Sequence, residues 1–598
     1  MRQARTSWLL AMLLAVACLA LSCNRLADEE LQRSVKASVA ATRQRGASSL
    51  HDFYQARHFA PVWIDRGGLA DRGASLLRSI CAAGDLGLRP ADYDPNRLRD
   101  LLREALQEAG SREDRARRLA DLELALSQKV VEMVSDARAG RLNLPRLQDN
   151  WHYAVGPRAA KAREVLERVA DSYDLAAALQ DRRTDDETGA MVEALSAYRR
   201  IAEAGGWATI PAGPTLRPGS TGARVTALRA RLRITNDSRD PGASRRFDAA
   251  LAEAVRRFQR RHGLEPTGHV DEASRRAMNV TVAERISQLE LNLERERWLP
   301  DRHGHDYVLV NIPEFMLHAY RSGKGVLDMR VIVGASLNQT PIFADDITYI
   351  VFRPYWNVPQ SIVIEEILPA LEENPDHLMD NGFTVVDSAD RVIAAAQVAA
   401  RRPAAASGPG PLPLGRSEPL RLDEEAIASG KARIRQEPGP TNALGLIKFM
   451  FPNQFDIYLH ATPANRLFAG QDRALSHGCI RVEDPVRLAE HLLEANGEWT
   501  KSRIVGTMQD PDVVNEEVGL KRRIPVYIVY LTAWVDDLGR VQFRDDVYEQ
   551  DRRLRAAIER SGNRKVDPSA CHEIERLLSI AAVQIKEQRI ASRSMDDR

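Results

Sequence analysis

The chain has 598 residues, 44% of them hydrophobic and 28% charged, and its 84 basic and 83 acidic side chains leave a net charge of +1. That length exceeds what one hydrophobic core serves and predicts about three or four domains. The near-cancelled charge supplies no global pull toward nucleic acid, so no nucleic-acid partner is expected. The arginine pairs Arg256-Arg257 and Arg260-Arg261 are expected on a solvated helix face.

At the N-terminus, Arg2 and Arg5 precede an apolar run from Trp8 to Leu21, and acidic residues begin at Asp28. A basic start, a short apolar stretch and small residues at its end predict an export signal over 1–23 rather than a membrane span. No later run is long and apolar enough to cross a bilayer. Two cleavage readings compete. Ala15-Val16-Ala17 offers an A-x-A site, whereas Ala20-Leu21-Ser22-Cys23 resembles the box of bacterial lipoproteins, with alanine where leucine is usual. The expected location is periplasmic, with a lipid anchor on Cys23 as the second reading. Of the five cysteines, Cys18 and Cys23 fall in this segment, and Cys81, Cys479 and Cys571 remain in the body. Three scattered cysteines are no disulfide framework. Sequence separation argues neither for nor against a Cys81–Cys571 bridge.

From about Asp28 to Gly206 the pattern is helical: Leu76-Leu77, Leu98-Leu101-Leu102, Leu119-Leu122-Leu124 and Val130-Val131-Val134 recur at helix spacing, with breaks at Arg89-Pro90 and Gly156-Pro157. No catalytic constellation stands in it, and a helical scaffold is expected over 28–206. A second unit spans 215–279. Gly219-Ser220-Thr221-Gly222 forms a turn before Val225, Leu228 and Leu232, while Phe247, Leu251, Val255 and Phe258 continue at helix spacing to Gly263; Asp271 caps a last helix near Met278. Three helices in so short a stretch make a small module with a modest core.

After a helical linker from Val282 to Trp298, strands are predicted at Tyr307–Ile312, Met316–Tyr320, Val326–Val333, Ile347–Phe352, Phe455–Leu459 and Val526–Leu531. Together they predict a mainly β, antiparallel domain over 306–534. It is interrupted over about 362–435 by a helical stretch, expected as a lid, and by the low-complexity run AAAQVAARRPAAASGPGPLPLG, expected as a surface loop. The segment 551–598 reads as a charged helical extension with no assigned role. The fold class is thus multidomain α+β: a helical scaffold, a three-helix module and a mainly-β domain with a helical and loop insertion.

The chemistry gathers at LHATPANRLFAGQDRALSHGCIRV, residues 459–482. A cysteine nucleophile works as the thiolate and needs an imidazole or a dipole nearby. His477 is two residues from Cys479 and in extended chain shares its face. His460 ends the strand Phe455–Leu459, and the loop after it is long enough to return Cys479 alongside. Gly478 permits close backbone approach, so consecutive amides there are candidates for an oxyanion hole. Asp484-Pro485 marks a helix start running to Leu493, whose field would favour thiolate at Cys479. Two other readings stay open on the residues alone. A zinc site of His460, His477 and Cys479 lacks a fourth ligand and a familiar spacing; a buried structural thiol is the ordinary alternative.

HATPANRLFAGQDRALSHGCIRV resembles the signature of the L,D-transpeptidase family, in which a histidine is followed, after a spacer, by Ser/Thr-His-Gly-Cys. FRPYWNVPQSIVIEEILP and RQEPGPTNALGLIKFMFPN resemble its large periplasmic subgroup, and LRPGSTGARVTALRARL with AEAVRRFQRRHGLEPTGHVDEASRRAMN resembles the peptidoglycan-binding domain of wall enzymes. The resemblance implies that Cys479 attacks the amide between the third residue and the terminal D-alanine of a tetrapeptide stem, with His460 as general base and acid. Ser476, or the backbone carbonyl beside His460, would orient the imidazole. The amides of His477, Gly478 and Cys479 would hold the oxyanion, and a diaminopimelate amine of a second stem would accept the acyl group in a 3→3 cross-link. No metal or organic cofactor is implied, and carbapenem-type β-lactams are expected to acylate Cys479. Arg481 has two readings, a substrate carboxylate or a structural pairing with Glu483 or Asp484. Trp356 and Asn357 are candidates for the cleft wall, a core role being the alternative for Trp356. The sequence departs from the family at Ala461, where a side chain that could contribute beside His460 is lost. Water as acceptor (an L,D-carboxypeptidase), a protein lysine as acceptor, and a non-catalytic wall-binding protein are the alternatives.

Overall fold

A computed structural model describes residues 26–596 except 44–47, 108, 143–149, 154–161, 173–185, 241–243, 301, 303–304, 375, 395–428, 430, 562–566 and 568. The expected export signal with Cys18 and Cys23, the Gly156-Pro157 break and the low-complexity part of the insertion lie outside the described residues.

The scaffold comprises α1 (Asp28–Arg43), α2 (Ser48–Ala56), a short hairpin of Ile64–Asp65 and Gly68–Leu69, then α3 (Asp71–Cys81), α4 (Pro95–Ala105), α5 (Arg112–Ala139), α6 (Ala162–Asp171) and α7 (Asp186–Glu203). The predicted apolar repeats meet in one core: Leu76, Leu77, Leu98, Leu102, Leu119, Leu122, Val130 and Val134 are all buried there. Helix α5 starts at a reciprocal Ser111–Asp114 capping box. Its Glu123 is buried and accepts from the amides of Val62 and Trp63 at 2.7 and 2.8 Å and from the Tyr54 hydroxyl at 2.7 Å. A buried carboxyl is tolerated only with such partners, and here they fix the hairpin segment to the long helix.

The three-helix module consists of α8 (Ala223–Ile234), α9 (Ala249–Arg261) and α10 (Glu272–Asn279), with Asp248 and Asp271 capping the last two and Val225, Leu228, Phe247, Val255 and Phe258 in its core. The solvated arginine face holds for Arg256 and Arg260, which pair with Glu253, and for exposed Arg257; Arg261 is buried in a two-pronged pair with Asp237, both contacts 2.6 Å. The sequence could not separate them, because the side of α9 that meets the loop carrying Asp237 is a tertiary matter.

Helix α11 (Val282–Glu296), expected as a linker, is the hub of the molecule. Its Leu291 enters the core of the β domain, while Leu289 and Leu293 pack with Met191, Leu195 and Tyr198 of α7. Gln288 and Asn292 donate to Thr532, at 2.9 Å to its carbonyl and 2.8 Å to its hydroxyl.

The β domain follows: β1 (Tyr307–Asn311), β2 (Met316–Arg321), β3 (Lys324–Gly334), β4 (Ala344–Phe352) and β5 (Trp356–Asn357), then α12, a helical run over 360–373 with a π-helical centre at Val363–Ile367. It continues with β6 (Phe383–Val386), β7 (Val392–Ala394), β8 (Arg433–Gln436), β9 (Ile447–Met450), β10 (Leu459–His460), β11 (Ala474–Ser476), β12 (Ile480–Val482), α13 (Pro485–Leu493), α14 (Lys501–Gln509) and β13 (Glu516–Val529). The large sheet has the order β11-β3-β12-β10-β9-β4-β13-β1-β2, and β2 also pairs with β3, closing it on itself. The expectation of an antiparallel domain needs correcting, since β10–β12, β3–β11 and β1–β13 are parallel. The strand expected at Phe455–Leu459 begins only at Leu459, because Asp456 takes a positive φ of 54° and turns the chain. The insertion is also more than helix and loop: β5, β8, β6 and β7 form a separate four-stranded sheet whose core joins Val363, Ile367, Leu371, Val385 and Ile434.

After β14 (Ala533–Val535) and β15 (Val541–Phe543), the C-terminal extension has two halves. Helix α15 (Gln550–Ser561) buries Leu554 and Ile558 in the β-domain core, and α16 (Ala570–Asp596) returns to the scaffold core with Ile574 and Leu578. Cys571 is disulfide-bonded to Cys81, with Cα atoms 5.6 Å apart. Among the described residues no helix is long and apolar enough to cross a membrane.

Candidate active site

The Ser476-His477-Gly478-Cys479 turn leaves β11 on one side of β3 and re-enters the sheet as β12 on the other. Such a crossing needs a tight, fixed turn, and three features supply it. Gly478 has φ +118°, a region L side chains rarely adopt, and a Cβ there would come within 3.2 Å of Ile457. Its carbonyl accepts from the Thr340 hydroxyl at 2.7 Å. Ser476 Oγ accepts from the Gly478 amide at 3.2 Å and donates to the Cys479 carbonyl at 2.5 Å. Ser476 therefore organises the turn and does not orient His460. The Gly478 amide is also spent on Ser476, which removes it from the expected oxyanion set. The His477 and Cys479 amides have no acceptor among the described residues.

His460 comes to the turn through register. Strands β10 and β12 run parallel with Leu459 opposite Ile480 and His460 opposite Arg481, so Leu459 and Ile480 face the core and His460 and Arg481 the other side. Cys479, in the turn just before β12, is joined to His460 through Tyr458, which is hydrogen-bonded to Cys479 and packs beside the His460 ring. His460 is buried, and its Nδ1 lies 2.6 Å from the Ala461 carbonyl. A carbonyl only accepts, so Nδ1 carries the proton and Nε2 keeps its lone pair. The alanine departure is thus harmless for orientation: the backbone does that work. Burial, then the Arg481 charge, and less strongly Lys448, push the imidazole down to about 3.

The thiol of Cys479 is the free cysteine of the described residues and reaches the Asp456 carbonyl at 3.7 Å. Burial pushes it up to about 11 against the lowering effects of the Tyr458 hydrogen bonds and Arg481. The thiolate expected from the nearby helix start is therefore not the resting state, because desolvation outweighs the favourable charges. Asp484 does cap α13, accepting from the Arg487 amide at 3.1 Å.

His477 turns outward, and its Nε2 pairs with Glu366 Oε1 at 2.7 Å. Glu366 lies in the π-helical part of α12, so the insertion touches the turn. This divergence separates His477 from His460, and no group of three or more His, Cys, Asp or Glu side chains among the described residues is arranged to hold a metal ion. Arg481 makes neither structural pairing: Glu483 pairs with Arg330 at 2.8 Å, Asp484 caps α13, and Arg481 Nε is buried without a partner. Trp356 takes the core role instead of the cleft, packing in the insertion against Phe383 with ring centres 6.1 Å apart, and Asn357 stands exposed opposite Arg435 on β8.

Two residues of this face went unread in the sequence. Tyr458 stands two residues before His460, with ring centres 5.8 Å apart, and is hydrogen-bonded to Cys479. Its spacing from His460 was a signal available in the sequence. Lys448 stands directly opposite His460 on β9, and only the pairing register shows it.

The fold joins a β domain carrying a buried histidine and a cysteine at one turn to helical accessory domains, and the comparisons find similar domains in the same places. Residues 305–526 match the family model of the L,D-transpeptidase catalytic domain, residues 48–188 a scaffold domain and residues 221–278 a "putative peptidoglycan binding domain". Residues 305–526 are thus similar to L,D-transpeptidase catalytic domains, and they follow, in chain order, the scaffold and peptidoglycan-binding matches. A protein of Haemophilus influenzae described as "Putative L,D-transpeptidase" is 31% identical over 271 residues, 45% of this chain and 49% of that one. The chain thus spans about half the length of this curated relative. The crystal structure of an L,D-transpeptidase from Xylanimonas cellulosilytica, at 14% identity and TM-score 0.16, covers 53% of this chain and 99% of its own. A fused Zn-dependent amidase/peptidase/peptidoglycan-binding protein of Clostridium acetobutylicum, at 12% identity and TM-score 0.14, covers 53% of this chain and 100% of its own. Overlays this loose say nothing about the site.

Proposed function

We propose that the protein is an exported L,D-transpeptidase that links peptidoglycan stems 3→3 through a thioester on Cys479. The observation that carries this reading is that the turn holding Cys479 leads directly into the strand paired with that of His460, with Tyr458 in contact with both and the imidazole tied by Nδ1 to the Ala461 carbonyl. Nε2 takes the thiol proton as Sγ attacks the carbonyl carbon before the terminal D-alanine. The amides of His477 and Cys479 receive the oxyanion. The C–N bond breaks, the proton passes from Nε2 to the leaving amine, and D-alanine departs. An amine of a second stem then attacks the thioester, gives its proton to Nε2, and the C–S bond breaks to restore the thiol. Nothing in this cycle calls for a metal or an organic cofactor.

The neutral resting pair suits such proton traffic. A thiol kept protonated until a substrate sits beside His460 is spared idle oxidation. The reading includes export to the periplasm, in solution or on a Cys23 lipid, which the mass of the mature N-terminus decides. Purified protein with tetrapeptide-bearing muropeptides tests the activity: D-alanine release with 3→3 dimers is expected, and Cys479→Ala abolishes both. Tripeptide monomer as the sole product would make it an L,D-carboxypeptidase. Intact mass after carbapenem treatment is expected to show one adduct, absent from Cys479→Ala.

A further inference from the structure

One level of the large sheet crosses five strands in register. Arg481 on β12 is opposite His460 on β10, His460 opposite Lys448 on β9, Lys448 opposite Val351 on β4, and Val351 opposite Glu517 on β13. Directly opposed residues share a face, so two cations flank the His460 imidazole, beside Tyr458, which is hydrogen-bonded to Cys479.

Neither cation is in an ion pair among the described residues. The Lys448 ammonium makes no hydrogen bond or ion pair among the described residues; its contact is the Tyr458 ring, 5.7 Å from the centroid. Arg481 Nε is buried with no partner. Glu517, the acid of the row, acts on Lys448 from two strands away without pairing with it, and Glu366, which acts on Arg481 from the insertion, is held by His477. Among the described residues, buried Arg261 and Arg295 are matched by Asp237 and Asp551, while buried Arg231, Arg285 and Arg473 donate to neutral oxygens such as the Met278, Ala277 and Val331 carbonyls. Two partly buried cations left without a paired anion lose hydration and repel each other, a cost that falls when an anion sits between them.

Resting on the transpeptidase reading, we propose that Lys448, with Arg481, is the seat of the donor peptide's free terminal carboxylate, so that the site selects donors ending one residue past the scissile bond. The distances agree. That carboxylate carbon is three bonds from the attacked carbonyl carbon, ~4 Å at most through space, and Lys448 and Arg481 each stand one strand spacing, about 4.8 Å, from His460. Seated there, the terminal residue presents its departing nitrogen to the imidazole that must protonate it. The carboxylate also offsets the two charges that hold His460 low, so arrival of the donor raises the basicity of the residue that takes the thiol proton.

The test compares, on the full chain, a tetrapeptide donor with a free terminal D-alanine and the same peptide as its C-terminal amide. The wild type is expected to favour the acid by about tenfold or more in kcat/KM, the scale of one charge-assisted hydrogen bond. Lys448→Met, which keeps the apolar stem, brings the ratio to within about threefold of unity, whereas Lys448→Arg retains more of it. Taking the ratio within each protein removes the effect of a partly folded sample. The same ratio read as Kd in a Cys479→Ala background requires no turnover. An acid preference in Lys448→Met equal to that of wild type overturns the seat alone. No release of D-alanine from the acid or of D-alanine amide from the amide by the wild type overturns the transpeptidase reading and the seat with it.

Discussion

Alkylation of Cys479 by iodoacetamide across pH distinguishes a neutral thiol–imidazole pair from a thiolate–imidazolium pair. Burial pushes the thiol up to about 11 and the imidazole down to about 3, so from pH 4 to pH 10 both are neutral in the empty site. Against the ordinary thiol near 8.5, the displacement corresponds to about 3 kcal/mol disfavouring thiolate. At pH 7 roughly one thiol in ten thousand is ionised, against about 3% for a free cysteine, so alkylation should run about 300-fold slower than on a model thiol. With Cys81 and Cys571 bonded to each other, the proteolytic peptide that carries Cys479 reports the alkylation of this thiol. The logarithm of the rate should rise with unit slope to about pH 10 without a plateau, and Arg481→Met should shift the curve to higher pH because Arg481 favours the thiolate. A plateau between pH 5 and 8 would refute the neutral pair and restore the thiolate that the helix start alone suggested.

Gly478→Ala is expected to cost about 1–3 kcal/mol from its positive φ alone and to abolish D-alanine release while leaving circular dichroism unchanged, since the strain falls on the nucleophile's own turn. Non-reducing peptide mapping should recover the Cys81–Cys571 peptide, and Cys571→Ser should lower apparent stability by about 2–4 kcal/mol, with hydrogen exchange rising in α16 before α15. An unchanged exchange pattern would mean that the apolar contacts of Ile574 and Leu578 suffice. His318 is opposed by burial but raised to about 10 by its hydrogen bonds to Asp328 and Glu314. Its folded value lies above the unfolded one, so this contribution is complete below about pH 6.5 and lost as pH rises through 10. Denaturant titrations from pH 6 to 10 should show a loss of about 2–4 kcal/mol that His318→Gln removes, discounted for the exposed Asp328.

What the sequence alone determined was local. Helix periods in 28–206, the caps and glycine turns of 215–279, the Asp484-Pro485 helix start and the Ser-His-Gly-Cys motif are properties of neighbouring residues, and each kept its place in the structure. The resemblance to the L,D-transpeptidase catalytic domain was also legible, because its motif is contiguous. Register and burial were not. That His460 stands opposite Arg481 on one side and Lys448 on the other depends on which strands become neighbours, and β9, β10 and β12 are separated by long loops. Nor could the sequence weigh a helix start against desolvation at Cys479: the first is written in Asp484 and Pro485, the second exists only once the turn is enclosed. Ser476 resembled a partner of His460 until the crossing over β3 turned its hydroxyl to Cys479. The C-terminal extension carried no readable role because its function is long-range: its core contacts and the Cys81–Cys571 bond tie the end of the chain to the beginning. Local chemistry is encoded by short spacing, whereas charge state and partnership are set by what the folded chain excludes from water and brings side by side.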